Sequence, residues 1–264
     1  MRIAVTGGTG AIGREVVAAL AARGHEVRVL SRSGPFPVDL RDGSGLDAAL
    51  DGVEAVIDAA NAGPAKAPAR AVLVDGNRRL LEAESRAGVA HHVAISIVGI
   101  DRVRSGYYGV KLEQEAVVRD GGVPWTIVRA TQVHGLLDAV FTATARFGVL
   151  PGGGLPVQPV DARDLAQMLA DTVDTEPWLA IARFAGPEVV PLGELARLWR
   201  EARGRRALVA PVPVAMLGRA GRELAAGALT DTSAWHGRTG FAAWLRDGGA
   251  GVASPAGATV GSAG

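Results

Sequence analysis

The chain has 264 residues, 28 Lys and Arg against 27 Asp and Glu for a formal net charge of +1, 48% hydrophobic residues and no cysteine. A near-neutral balance gives no electrostatic case for nucleic acid or an anionic membrane, and the lack of cysteine excludes disulfides and thiolate metal sites. Such a length buries one large core, or one core and a small lobe. No charged-then-apolar leader opens the sequence and no apolar run reaches the roughly 18 residues of a membrane span, so a cytoplasmic protein is expected.

Strands and helices alternate from the start. The first strand is expected over Arg2–Thr6 and the first helix over Ile12–Arg23. Between them, Gly7, Gly10 and Gly13 form a strand–turn–helix fingerprint for a dinucleotide. Glycine lets the turn close and lets a pyrophosphate approach the backbone, while the first helical turn aims free N–H groups and the positive dipole end at the phosphates. Thr6, Gly7, Gly10, Ala11, Ile12 and Gly13 are therefore the expected phosphate cradle, against the alternative of an ordinary turn with spare glycines.

The second strand is expected over Glu26–Leu30, followed by Ser31-Arg32-Ser33 with no acid. A basic residue there pairs with a ribose 2′-phosphate, where an acid would take a free 2′-hydroxyl. Ser31 and Arg32, with Arg14 as a second charge, favour NADP(H) over NAD(H); otherwise Arg32 is a solvated charge. The link from Leu30 to Val38 is too short for a crossover helix, so either the strand at Val38–Leu40 is rudimentary or the crossover has shrunk to a loop. Asp39, beside Leu40, suits an adenine amino group or caps the short helix Leu46–Leu50. The third long strand, Ala55–Ala59, ends in the small residues Ala59, Ala60 and Asn61, past which a dinucleotide can run.

A helix is expected over Pro68–Ala87, a strand over Val93–Ile97, a helix over Tyr107–Asp120, a strand over Trp125–Ala130 and a helix over Leu136–Phe147. Gly24, Gly88 and Gly121-Gly122 close three of these helices. The alternation implies a doubly wound parallel sheet with its ligand crevice at the carboxyl ends of the strands. Beyond it the pattern loosens: a short strand at Leu155–Pro159, helices at Ala162–Val173 and Pro191–Arg203, and a last helical section after Pro211–Pro213. Residues 1–160 are expected to form a Rossmann-type α/β domain and 161–247 a small, mostly helical lobe on the same core. The Gly/Ala/Ser-rich stretch 248–264 is expected to be disordered.

Tyr107 and Lys111 stand four apart on one helix face. A nearby ammonium lowers a phenol's pKa, so Tyr107 is the expected proton donor and Lys111 its tuner and a hold on the nicotinamide ribose; the alternative is a buried Tyr beside a surface Lys. His91-His92 has no further ligands nearby, and no metal site is expected.

These residues together resemble the short-chain dehydrogenase/reductase superfamily, and most closely its atypical NmrA-like branch. The resemblance rests on Thr6 to Gly13, Asp39-Leu40, Gly52 to Ala60, Gly76 to Ala83, Gly88-Val89, Ala94-Ile-Ser-Ile-Val-Gly99, Tyr107 with Lys111, and Trp125 to Arg129. It covers residues 1 to 170 well and the remainder loosely, and implies a Rossmann fold with hydride transfer to a carbonyl, quinone or related group. Two positions depart from the family. Val98 occupies the usual catalytic Ser/Thr position on the substrate side, leaving Ser96 either to polarise substrate or to bond backbone. Leu73 falls where a helix Asn is usual, with Asn77 one turn on and expected to face elsewhere. The family also places the loop Thr131-Gln132-Val133-His134-Gly135 before the nicotinamide. This makes Thr131 a cofactor contact and Gln132 and His134 contacts to carboxamide or substrate, although a lone His is more often structural. Phe141, Phe147 and the loop Leu150–Pro156 would wall or lid the pocket, and Asp161 and Asp164 read as a helix cap and an ion pair.

The expected function is NADPH-dependent reduction of a small, largely apolar or aromatic carbonyl compound or quinone, by a monomer or homodimer. The main rival is a non-catalytic sensor of the NADP state, favoured by Val98 and Leu73 and opposed by Tyr107 and Lys111. A nucleotide-sugar epimerase or dehydratase would need a larger C-terminal domain.

Overall fold

Short runs rich in Val and Ile must bury both faces, so they pair in parallel and are covered by helices on each side. In the computed structural model, which describes residues 1–62, 69–103 and 106–249, β1 (Arg2–Thr6), β4 (Ala55–Asp58), β5 (His91–Ile97) and β6 (Trp125–Ala130) form the centre of one sheet. β2 (Glu26–Ser31) and β3 (Phe36–Pro37) extend one side, and β9 (Ile181–Ala185) and β12 (Trp235–His236) the other. The order is β12-β9-β6-β5-β4-β1-β2-β3, and every pairing is parallel. This is the doubly wound Rossmann-type α/β fold. The direction of winding reverses between β1 and β4, which sets the ligand crevice at their carboxyl ends, where Thr6 and Asp58 are register partners.

Side chains alternate across the sheet. Ile3, Val5, Ile57 and Val93 pack under α1 (Ala11–Ala22) and α6 (Ala162–Val173) through Val16, Leu20, Leu165 and Leu169. Ala4, Val56, Ala94 and Ile127 face α2 (Leu46–Leu50), α3 (Gly76–Ala87) and α4 (Tyr107–Asp120) through Leu50, Leu80, Leu81 and Val118. A third core joins α5 (His134–Ala145) to α7 (Leu192–Ala202) and the last helix, Phe241–Arg246, with Phe141, Trp199, Phe241 and Trp244 at its centre. Two small sheets border it: β7 (Val149–Gly152) beside β11 (Leu208–Pro211), and β8 (Pro156–Val157) beside β10 (Val190–Pro191).

Several expectations are corrected. Strands β9 and β12 and helix α6, assigned to a C-terminal lobe, build the main sheet and its cover, while α5, assigned to the first domain, contributes Leu137 and Phe141 to the lobe's core. No boundary therefore falls at 160. Sequence reading missed β9 because Ile181-Ala-Arg-Phe-Ala lacks a clean alternation and only its burial between strands makes it one. The β2–β3 crossover is a loop of Arg32, Ser33, Gly34 and Pro35, and the strand falls at Phe36–Pro37 rather than Val38–Leu40. The Ser31 hydroxyl donates to the Ser33 carbonyl, and the Val38 N–H to the Ser31 carbonyl at 2.9 Å, which pins this unusually short return. Helix Pro68–Ala87 is interrupted by a π-helical turn, Ala71–Asp75; Pro68 and residues 250–264 of the expected disordered tail lie outside the described residues.

Candidate functional site

At the end of β1 the chain turns at Gly7, whose φ of +62° suits glycine, and a Cβ there would stand 2.6 Å from the Ala59 carbonyl. A Cβ on Gly13 would collide with the Gly7 carbonyl oxygen. Helix α1 starts with an extended Gly10 and no side-chain cap, so its first N–H groups at Ala11, Ile12 and Gly13 are offered by the backbone alone. Tight glycine packing, an uncapped helix start and the neighbouring half-buried Ala59 and Ala60 fit a dinucleotide pyrophosphate.

Arg32 is exposed at the carboxyl end of β2. Asp39 does not cap α2, whose N-cap is Gly45. Its carboxylate accepts three bonds from Nε and Nη2 of the Arg41 side chain and one from the Arg41 N–H at 2.9 Å, and this holds its pKa at about 2. Leu40 leans on Gly76, where a Cβ would meet its carbonyl at 2.9 Å.

The carboxyl end of β4 carries a buried carboxylate that sequence reading passed over. Asp58 is 1% exposed and accepts from Thr6 Oγ1, from Asn77 Nδ2 at 2.5 Å, from Gln114 Nε2 at 3.0 Å and from the Ala60 N–H at 3.1 Å. The signal was an acid ending an otherwise apolar strand, because a charge inside such a strand needs partners. Asn77, expected to face elsewhere, faces this cluster from the start of α3, directly after the π-helical turn.

Lys111 is 5% exposed; its Nζ donates to the Ile95 carbonyl at 2.7 Å and to Gln114 Oε1 at 2.5 Å. Burial lowers its pKa to about 8, against the pull of Asp58 and Glu115. Lysine occurs only at 66 and 111 among the 28 Lys and Arg residues. In so arginine-rich a chain Lys111 is a marked choice, for arginine cannot give up its proton.

One turn earlier, the Tyr107 hydroxyl donates to Asn61 Oδ1 at 2.5 Å. This contact brings the phenol to the end of β4, beside the glycine turn. The expectation that Lys111 depresses Tyr107 is corrected. Burial, opposed only partly by Asn61, pushes the phenol up to about 12, and the Lys111 ammonium is turned to the Ile95 carbonyl and Gln114.

Other expected site residues have different tasks. The Ser96 hydroxyl donates to Glu115 at 2.5 Å, and Glu115 is clamped by Arg129 through two 2.8 Å bonds, so Ser96 closes a buried ion pair. Val98 is 2% exposed, with its N–H on the Ala130 carbonyl, and lies in the core rather than against substrate. Thr131 accepts from the Gly186 N–H at 3.1 Å. Gln132 donates to the Leu229 carbonyl at 3.0 Å and accepts from the Gln158 N–H at 3.1 Å. His134 is wholly buried against Phe241 and Trp244, with Nε2 2.9 Å from the Thr239 carbonyl oxygen, and desolvation lowers its pKa. Phe147 is 72% exposed, with Arg146 over its ring, and walls no pocket. Asp161 caps α6 and pairs Arg163; Asp164 accepts from the Arg238 and Thr239 N–H groups. A surface hollow of about 470 Å³ lies among Arg200, Arg205, Arg206 and Leu208 and includes none of the crevice residues; the glycine turn marks the site. Among the described residues no helix is long and apolar enough to cross a membrane.

Residues 7–176 match the model of a family described as NAD(P)H-binding. The chain is 32% identical over 209 residues to the (4-alkanoyl-5-oxo-2,5-dihydrofuran-3-yl)methyl phosphate reductase of Streptomyces griseus, covering 73% of this chain and 70% of that protein. The NADPH-dependent quinone oxidoreductase of Escherichia coli, solved with NADPH, superposes with a TM-score of 0.77 over 93% of this chain and 99% of that one at 20% identity. The triphenylmethane reductase of Citrobacter sp., solved with NADP(H), gives 0.75 over 94% and 99% at 18% identity. At those identities the two structures share the fold. The chain belongs to the NAD(P)H-binding family of Rossmann-fold, oxidoreductase-type proteins.

Proposed function

We propose that this chain is an NADPH-dependent reductase of a small, largely apolar carbonyl compound, quinone or conjugated enone, with Tyr107 as proton donor. The observation that carries it is the Tyr107–Asn61 hydrogen bond, which holds a protonated phenol at the carboxyl end of β4 next to the glycine turn. The Streptomyces griseus relative, a reductase of a conjugated lactone by its name, supports the same class.

Bound NADPH supplies a hydride. The chain's own work is to hold and orient. Gly7, Gly10 and the N–H groups of Ala11 to Gly13 take the pyrophosphate. Arg32, with Ser31, takes a ribose 2′-phosphate. A phenol raised to about 12 is fully protonated at neutral pH, so it donates to the oxyanion developing on a carbonyl being reduced and is poorly suited to take a proton from an alcohol. Most of the acceleration comes from juxtaposing donor and acceptor in the crevice.

The test follows NADPH absorbance with quinones, aromatic ketones and unsaturated lactones, with Tyr107→Phe in parallel. The expected outcome is substrate-dependent oxidation that falls about 100-fold or more in the variant at unchanged NADPH affinity. Equal rates in both proteins would remove Tyr107 from the chemistry. Tight NADPH binding without oxidation of any acceptor would favour the sensor.

A further inference from the structure

We propose that Gln114, backed by Asp58, is a positioning residue that fixes Lys111 and keeps its ammonium charged beneath the crevice. The catalytic consequence rests on the reductase reading above; the positioning itself does not.

An ammonium taken out of water sheds its proton unless negative charge or acceptors compensate it. Lys111 touches no carboxylate directly. Gln114 stands between it and one: Oε1 accepts from Lys111 Nζ at 2.5 Å and Nε2 donates to Asp58 Oδ2 at 3.0 Å. The orientation of this amide is forced. Reversed, its NH₂ would face the ammonium and its oxygen the carboxylate. Asp58 is immobilised by Thr6, Asn77 and the Ala60 N–H, so the negative end of the relay is anchored to β1, β4 and α3 at once.

The groups around Lys111 leave this relay as its electrostatic support. From its own helix Glu115 acts on it, but that carboxylate is neutralised by Arg129 of β6 and bonded by Ser96 of β5. From β5 comes the neutral Ile95 carbonyl, and from α3 the neutral Asn77, already committed to Asp58. The buried Glu84–His92 pair acts on Asp58 from the α3 side as an internally matched acid and base. Asp58 is thus the carboxylate without a direct cationic neighbour in this group, and Gln114 conducts its field to Lys111. The spacing is local and readable: Lys111 and Gln114 are three apart on α4, so they share a face.

The two-lysine composition allows a direct test. Protein carrying [ε-13C]lysine shows two lysine signals, and Lys66→Arg assigns them. Lys111 is expected to titrate at about 8 in the parent. Gln114→Met keeps length and helix propensity but removes both hydrogen bonds, and Asp58→Asn keeps shape but removes the charge. In each the Lys111 midpoint is expected to fall by about one unit or more. In NADPH oxidation with a quinone, the alkaline decline of kcat that follows loss of the Lys111 charge moves down with it while the quinone KM stays. If Gln114→Met does not fold, Asp58→Asn carries the test. Folded variants in which Lys111 titrates as in the parent overturn the proposal. Shifted titrations in a protein that oxidises no NADPH would leave the positioning standing and sink the reductase reading.

Discussion

At the level of single residues, the proposed preference for NADPH over NADH rests on Arg32. It stands exposed in the four-residue return between β2 and β3, and its charge is felt at Asp39. Asp39 is paired with Arg41, so this acid beside the expected ribose site is neutralised. Arg32→Ala is expected to raise the Kd for NADPH about 10- to 100-fold, the worth of one charge-assisted hydrogen bond, and to leave NADH binding unchanged. Equal losses for both cofactors, measured by fluorescence titration, would place Arg32 elsewhere. Residue-scale legibility was uneven. Gly7, Gly13, Tyr107 and Lys111 were visible because turns and i,i+4 faces are local. The charge behind Lys111 was not, because Asp58 arrives from a strand 53 positions earlier in the chain. Likewise Ser96, Gln132 and His134 have hydroxyl, amide and imidazole groups suited to chemistry, and only the fold shows them spent on Glu115, Leu229 and Thr239.

Among the elements, α3 and β5 are joined by a wholly buried pair. His92 Nδ1 donates to both Glu84 oxygens at 2.9 Å, and both side chains are 0% exposed. Burial raises Glu84, while the Glu84 carboxylate, overcoming desolvation, raises His92. A raised histidine stabilises fully below its unfolded value near 6.5 and loses that contribution as pH rises through its folded value. Glu84 has the same sign, since the folded state also holds its proton more tightly. The melting temperature is therefore expected to decline on the alkaline side, and the decline to be weaker in Glu84→Gln. A parallel slope in that variant would assign it to other groups. Glu84→Ala, which strands a buried imidazole, is expected to cost about 3–5 kcal/mol in denaturant unfolding. The elements themselves were largely legible: β1, α2, α4, β6 and α6 fall where apolar pattern and glycine stops put them. The π-helical turn was not, because nothing in Ala71-Val-Leu-Val-Asp distinguishes it from an α-turn until Asn77 meets Asp58.

Over the whole molecule, the segment 228–231 is sewn across the carboxyl end of the sheet. Arg102 donates to the Ala228 carbonyl at 2.6 Å, and Gln132 donates to Leu229. Gln158 accepts from the Asp231 N–H at 2.7 Å and donates to the Gly186 carbonyl at 2.9 Å. Gln158→Leu leaves these backbone groups unpaired and is expected to cost about 1–3 kcal/mol. Hydrogen exchange should then show lost protection at Asp231 and neighbouring amides, with β1, β4 and β5 still protected. Uniform loss across the sheet would mean that the segment is not a separable unit.

The doubly wound sheet, the glycine turn and the Tyr107–Lys111 helix face were legible along the chain, because strand periodicity, turn chemistry and helical spacing act over a few residues. It took the folded chain to show that β9 and β12 complete that sheet, that α5 belongs to the C-terminal core, and that Gln114 stands between Lys111 and Asp58. Those outcomes depend on which distant segments share a buried volume, and a buried charge or strand edge finds its partner by proximity in space rather than in sequence.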